Sequence, residues 1–97
     1  MESLLQLIKI EGYENIKDLI IIFKKNVINI INDTDNLKEL VEIKHNIHTL
    51  KGFFSNKQIV KLLLKIKHEK SLNKIKILFE KVKKLIYKEM LIFDSFK

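Results

Sequence analysis

The chain contains no proline and only two glycines, Gly12 and Gly52. Those two residue types supply most sharp turns in proteins, so a fold of many short strands joined by frequent tight turns is out of reach. What remains is a small set of long helices with a few short connections. The apolar positions agree. Between Tyr13 and Ile31, the residues Ile16, Leu19, Ile20, Phe23, Val27, Ile30 and Ile31 recur at the spacing of one helical face.

The same spacing predicts the other helices. Residues 2–10 read as a short opening helix with Leu4, Leu5 and Ile8 on one side, stopped at Glu11-Gly12. The polar cluster Asn32-Asp33-Thr34-Asp35-Asn36 reads as a break after the second helix, with Asp35 or Asn36 capping the third. The third helix is predicted from about Leu37 to Phe54, with Leu37, Leu40, Ile43, Ile47, Leu50 and Phe54 inward. Ser55-Asn56-Lys57 is the next break and supplies a cap. A fourth helix follows, roughly Gln58 to Glu69, burying Ile59, Leu62, Leu63 and Ile66. Ser71 is the expected N-cap of a last helix to about Phe93, with Leu72, Ile75, Phe79, Val82, Ile86, Met90 and Phe93 inward. Burial on regular stripes outweighs the modest helix propensity of the many isoleucines. The expected fold is all-α: one domain over residues 1–97, an antiparallel up-down four-helix bundle with a short additional N-terminal helix.

Composition narrows the chemistry. With 97 residues, 46% apolar and 32% charged, the chain has the balance of one globular domain. No window approaches a transmembrane span, and the start lacks the basic region of a signal peptide, so the expected location is cytoplasmic. The absence of cysteine excludes disulfides, thiolate metal sites and a cysteine nucleophile. The two isolated glycines form neither a phosphate-binding loop nor a dinucleotide fingerprint. All 19 basic residues are lysines, and the net charge is +7. Without the planar fork of arginine, specific base or phosphate recognition is disfavoured, and lysines offer diffuse attraction to anions. The charge is uneven: residues 1–43 hold five lysines and eight acids, residues 44–97 fourteen lysines and four acids.

The informative stretch is His45-Asn46-Ile47-His48-Thr49-Leu50-Lys51-Gly52, in the middle of the predicted third helix. At about 100° per residue, Ile47 and Leu50 centre the inward stripe. His48 falls on a half-exposed flank with Val41, Lys44, His45, Lys51 and Gly52. A mid-helix glycine costs about 1 kcal/mol relative to alanine. One turn beyond His48, it leaves room for a flat partner surface to reach the imidazole. Lys51, at i+3, can set an ammonium beside an anion carried by that ring, and Lys44 adds to the field. The bland reading of a lone histidine on a helix flank is an ordinary surface residue. A metal held by His45 and His48 with Glu42 lacks a partner from a second helix, and no metal site is expected. His68, near a helix end, reads as a surface residue favoured by the dipole.

His48-Thr49-Leu50-Lys51-Gly52 resembles the His-x-Leu-Lys-Gly motif of histidine-containing phosphotransfer (HPt) domains, small four-helix bundles that relay phosphoryl groups between receiver domains of two-component phosphorelays. A short leading helix, a helix with Phe23 near its middle, a polar turn with Asp35 and then the motif helix follow in the family's order. The resemblance implies that His48 is the phosphoacceptor, that Lys51 screens the phosphoryl charge and that Gly52 gives the partner access. Lys44, His45 and Phe53 would flank the docking surface. The implied partners are response-regulator receiver domains and a hybrid or receiver-linked sensor kinase. The chain would hold no cofactor of its own, the magnesium sitting on the partner receiver, and it would be a phosphotransfer intermediate rather than a kinase. Two places differ from the family pattern: Phe53 and Phe54 follow the motif glycine where small residues are usual, and Gln58 stands where a second glycine is common. On the helical count Phe54 continues the core stripe and Phe53 points outward, where it would either obstruct a receiver or supply an apolar docking contact.

A different class of function rests on charge. Eleven lysines between Lys57 and Lys88 face only Glu69 and Glu80, which suits a non-catalytic lysine-rich module that binds a polyanion, nucleic acid or an acidic protein surface. Nucleic acid is disfavoured by the missing arginines and the scarcity of aromatics for stacking. A third reading is a bundle that docks a receiver as scaffold or inhibitor without carrying phosphate.

Overall fold

A computed structural model describes residues 2–96. The elements are α1 (Glu2–Glu11), α2 (Tyr13–Asn36), α3 (Leu40–Lys51), α4 (Lys57–His68), α5 (Leu72–Met90) and a closing 3-10 segment, Leu91–Phe96. There is no strand among the described residues. Each helix packs on the next in sequence, and the shape is elongated, 44 × 22 × 17 Å. Gly12 separates α1 from α2 at φ +84, a conformation that suits glycine and strains other residues.

One apolar core runs the length of the molecule. Ile16, Ile20, Phe23, Val27 and Ile31 of α2 meet Ile43, Ile47 and Leu50 of α3, Ile59, Leu63 and Ile66 of α4, and Ile75, Phe79, Val82, Ile86 and Met90 of α5. Ile8, Phe54 and Phe93 belong to the same core. Leu19, expected inside, is 51% exposed. The buried stripe of α2 advances by alternating four- and three-residue steps through Ile16, Ile20, Phe23 and Val27, and Leu19 lies just beyond its edge. Ile30, Leu37, Leu40, Leu62 and Leu72 are half-buried and pack on the rim of the core.

Three boundaries differ from the sequence reading. The polar cluster 32–36 is helical and ends α2, because its side chains have partners there. Thr34 is buried, and its hydroxyl donates to the Ile30 carbonyl at 2.7 Å. The Asn46 amide of α3 donates to Asp33 at 2.8 Å and to the Thr34 hydroxyl at 3.1 Å. Asp35 pairs with Lys83 of α5 at 2.9 Å. Neither Asp35 nor Asn36 therefore caps α3, whose N-cap position is Glu39, with no side-chain cap bond. At its other end α3 stops at Lys51 rather than Phe54. Gly52, Phe53 and Phe54 donate to the carbonyls three residues back, at 3.1, 3.0 and 3.4 Å, a tightening that satisfies the last groups of the helix. The last helix likewise tightens after Met90, and Phe93 remains buried within the 3-10 segment.

The caps expected for α4 and α5 are present. The Asn56 side chain accepts from the Gln58 and Ile59 amides at 2.9 and 3.2 Å, and the Ser71 hydroxyl accepts from Lys74 at 3.5 Å. Asn56 also donates to Glu89 of α5 at 3.2 Å.

Phe23 is the hub of the packing. Its ring meets Phe53, Phe54 and Phe93 edge-on, with centroids 5.7, 6.1 and 5.8 Å away. The contact ties α2 to the turn after α3 and to the C-terminal segment. Lys24, next along α2, pairs with Asp94 at 3.0 Å and lies over the Phe93 ring. Phe23→Ala is expected to cost about 3–5 kcal/mol in urea unfolding, whereas Leu19→Ala should stay within about 0.5 kcal/mol. Equal losses in the two variants would contradict this assignment of the core.

Candidate functional site

The geometry of α3 decides which of its residues face solvent. Ile43, Ile47 and Leu50 are buried, which fixes the helix rotation and turns Val41, His45 and His48 outward. These three lie at i, i+4 and i+7, and Gly52 continues the row one turn beyond His48. Val41 is 81% exposed, and the imidazoles of His45 and His48 are both exposed. Lys44 and Lys51 run beside the row, half-buried, one turn before and just after His48.

His48 and Lys51 occupy the last turn of α3, the negative end of its dipole. A lysine side chain is a favourable residue at that end of a helix. Thr49 turns its hydroxyl back to the His45 carbonyl at 3.2 Å and takes no part in the exposed row. Asn46, on the flank facing α2, anchors the helix to Asp33 and Thr34. Together these contacts hold the rotation of α3 and so the direction of His48.

Gly52 is not the mid-helix glycine expected from the sequence. It is the C-cap of α3, with φ −66 and ψ −20, ordinary right-handed backbone. A Cβ at this position would meet only the Thr49 carbonyl oxygen, at 3.3 Å. Its backbone conformation does not call for glycine. What its missing side chain does is leave the surface beside His48 low.

Phe53 also departs from expectation. The helical count that turned it outward fails because the helix has already ended. Phe53 is half-buried and lies edge-on to Phe23, so it belongs to the packing beneath the site more than to an exposed docking surface. Phe54 is core, as the stripe predicted. The two phenylalanines therefore brace the end of α3 from below.

His45 lines a shallow depression with Asp33, Leu37, Val41, Glu42 and Asn46 at the α2–α3 connection. Among the described residues there is no group of three or more His, Asp or Glu side chains placed to hold a metal ion. No described helix is long and apolar enough to cross a membrane.

Sequence reasoning missed a second surface. Between α4 and α5, Leu64, Ile77 and Leu78 line an open groove with Lys61, Lys65, His68, Glu69 and Lys74. The signal was available: Leu64, Ile77 and Leu78 are apolar residues off the inward stripes, set among lysines.

No protein-family model matches this chain, and comparison with curated proteins and with solved structures finds no match either.

Because the backbone at Gly52 is ordinary, Gly52→Ala should change the unfolding free energy by less than about 1 kcal/mol, the ordered backbone and the close Thr49 oxygen acting in opposite directions. A loss well above that, measured by urea denaturation, would mean that the glycine is there for the fold.

Proposed function

We propose that this chain is a phosphorelay carrier of the histidine-containing phosphotransfer type, accepting a phosphoryl group on His48 from a receiver-domain aspartate and passing it to another receiver. The observation that carries the reading is the exposed row on α3: His48 free to solvent, Gly52 leaving the surface low one turn on, and Lys51 alongside. An all-helical fold around one core fits the same reading. The arrangement of α2 to α5 as an antiparallel up-down bundle, with α1 as the additional N-terminal helix, is part of it. Four cross-links support that arrangement. Lys24 with Asp94 and Asp35 with Lys83 pair the middle and the end of α2 with later and earlier parts of the C-terminal stretch, and Phe23 with Phe53 and Thr34 with Asn46 run in the same opposed sense for α2 and α3.

The chemistry asks little of the chain. An unprotonated ring nitrogen bonds phosphorus in line while the bond from phosphorus to the aspartyl oxygen breaks, and the carboxylate leaves. The magnesium and most of the transition-state stabilisation belong to the receiver. Lys51, with Lys44 one turn back, offsets charge on the phosphorylated ring. His45, one turn before His48, borders the docking face. Gly52 lets the receiver approach. The partners are receiver domains, among them that of a hybrid or receiver-linked sensor kinase, and the setting is the cytoplasm.

The test is incubation with phosphorylated receivers from the same organism, followed by a search for an acid-labile, base-stable label on the chain. Wild type should acquire the label, and His48→Gln should lose it while keeping its helical circular dichroism. Lys51→Ala should slow transfer severalfold, in keeping with about 1.5–3 kcal/mol for a well-formed charge-assisted contact, reduced by solvent. Gly52→Gln should slow transfer at unchanged fold. Label that persists in His48→Gln would move the site to another histidine such as His45. Receiver binding without any label would leave a docking scaffold.

A further inference from the structure

We infer that the groove between α4 and α5, beside the turn that joins them, docks an acidic amphipathic helix of a partner protein. The groove holds about 740 Å³. Its apolar floor is Leu64, Leu78 and Ile77, and Ile77 is 61% exposed. Nothing in the packing of this chain requires an isoleucine there, since Ile75, Phe79 and Val82 already form the buried stripe of α5.

Charge selects the partner. Lys61, Lys65 and Lys74 stand at the rim, and none forms an ion pair among the described residues. The one acid at the rim, Glu69, is committed to the turn: its carboxylate accepts from the Lys70 and Ser71 amides at 3.0 and 3.1 Å. Those bonds, Ser71's foremost, hold its carboxyl below the usual range and keep it an anion. No acid lies in the first turn of α5, whereas Lys74 sits close to the positive end of its dipole. Cations there are locally unfavourable. Glu69 already offsets part of that repulsion through its charge on Lys74, and an incoming carboxylate would add to it, and meet Lys61 and Lys65, while apolar side chains cover the floor.

Shape selects a helix. The lining positions on α4, from Lys61 to His68, span two turns, about 10 Å along the axis. That length matches apolar anchors at i, i+3 or i+4, and i+7 of a docked helix. The groove is an open trough, whereas small-molecule sites enclose most of their ligand. A second copy of this chain is a poor occupant. Two copies at net +7 repel, and a second copy is one of the outcomes that the test separates. The groove shares no lining residue with the exposed row on α3, and the inference stands apart from the role of His48.

The probe is a fluorescein-labelled peptide of about 14 residues, long enough to form a marginal helix. It carries leucines at helical spacing between glutamates, and its control is a scrambled peptide of the same composition. Fluorescence anisotropy should show the patterned peptide binding about tenfold more tightly than the scrambled one, with affinity falling as salt rises. Ile77→Asp, at an exposed position, should weaken the patterned peptide about tenfold with circular dichroism unchanged. Lys65→Glu should weaken it as well, and His48→Ala should leave it unaltered. Equal binding of the two peptides would reduce the surface to diffuse attraction for polyanions and overturn the proposal. So would wild-type affinity in Ile77→Asp, or a sedimenting dimer that Ile77→Asp dissolves, which would make a second copy the occupant.

Discussion

The contact on which the rest of this structure depends is the meeting of four phenylalanine rings at Phe23. It gathers the middle of α2, the turn that ends α3 and the C-terminal segment into one apolar joint. A short connection alone would let α3 rotate. With Phe53 and Phe54 held against Phe23, and Asn46 bonded to Asp33 and Thr34 further back along the helix, α3 is fixed to α2 at its middle and just past its C-terminal end. Rotation is the quantity that matters, because on a helix a rotation of about 100° exchanges an exposed residue for a buried one. The exposure of His48 is thus a consequence of hydrophobic packing on the opposite face.

This gives a physical role to the two residues that follow Gly52. Viewed as sequence, a pair of large aromatic side chains after a low, glycine-marked surface looks like an obstruction. In three dimensions the helix has ended, the chain has tightened, and both rings turn beneath the surface. The proposed receiver face stays low because the bulk next to it has been drawn into the core. Charge is distributed with a similar separation. Lys83 and Lys24 are used inside the fold, in pairs with Asp35, Glu80 and Asp94, while Lys61, Lys65 and Lys74 are left at the groove between α4 and α5.

Much of the helical layout was legible from the sequence, for identifiable reasons. Stripes such as Ile59-Leu63-Ile66 and Ile75-Phe79-Val82-Ile86 announce one face each, and Asn56 and Ser71 are cap residues where caps are found. Where the reading failed, tertiary partners outweighed local preference. Asn32 to Asn36 carry every mark of a loop, yet stay helical because Asn46 and Lys83 reach them from other helices, which no local pattern reveals. The end of α3 at Lys51 is set by the burial of Phe53 and Phe54 against Phe23, a long-range event, and the roles of Gly52 and Phe53 changed with it. Leu19 fits a helical spacing but lies past the edge of the contact surface. The exposed row Val41, His45, His48 was legible because it follows from the buried one.

The central claim is that this row is the face a receiver meets. The most direct measurement is a titration of the nitrogen-15-labelled chain with a receiver domain from the same organism, followed by backbone amide NMR. The account predicts shift changes concentrated from Val41 to Gly52, strongest around His48 and Lys51, with the amides of the α4–α5 groove near Ile77 unmoved. Shifts centred on the groove, or a spectrum unchanged by every receiver tried, would contradict it.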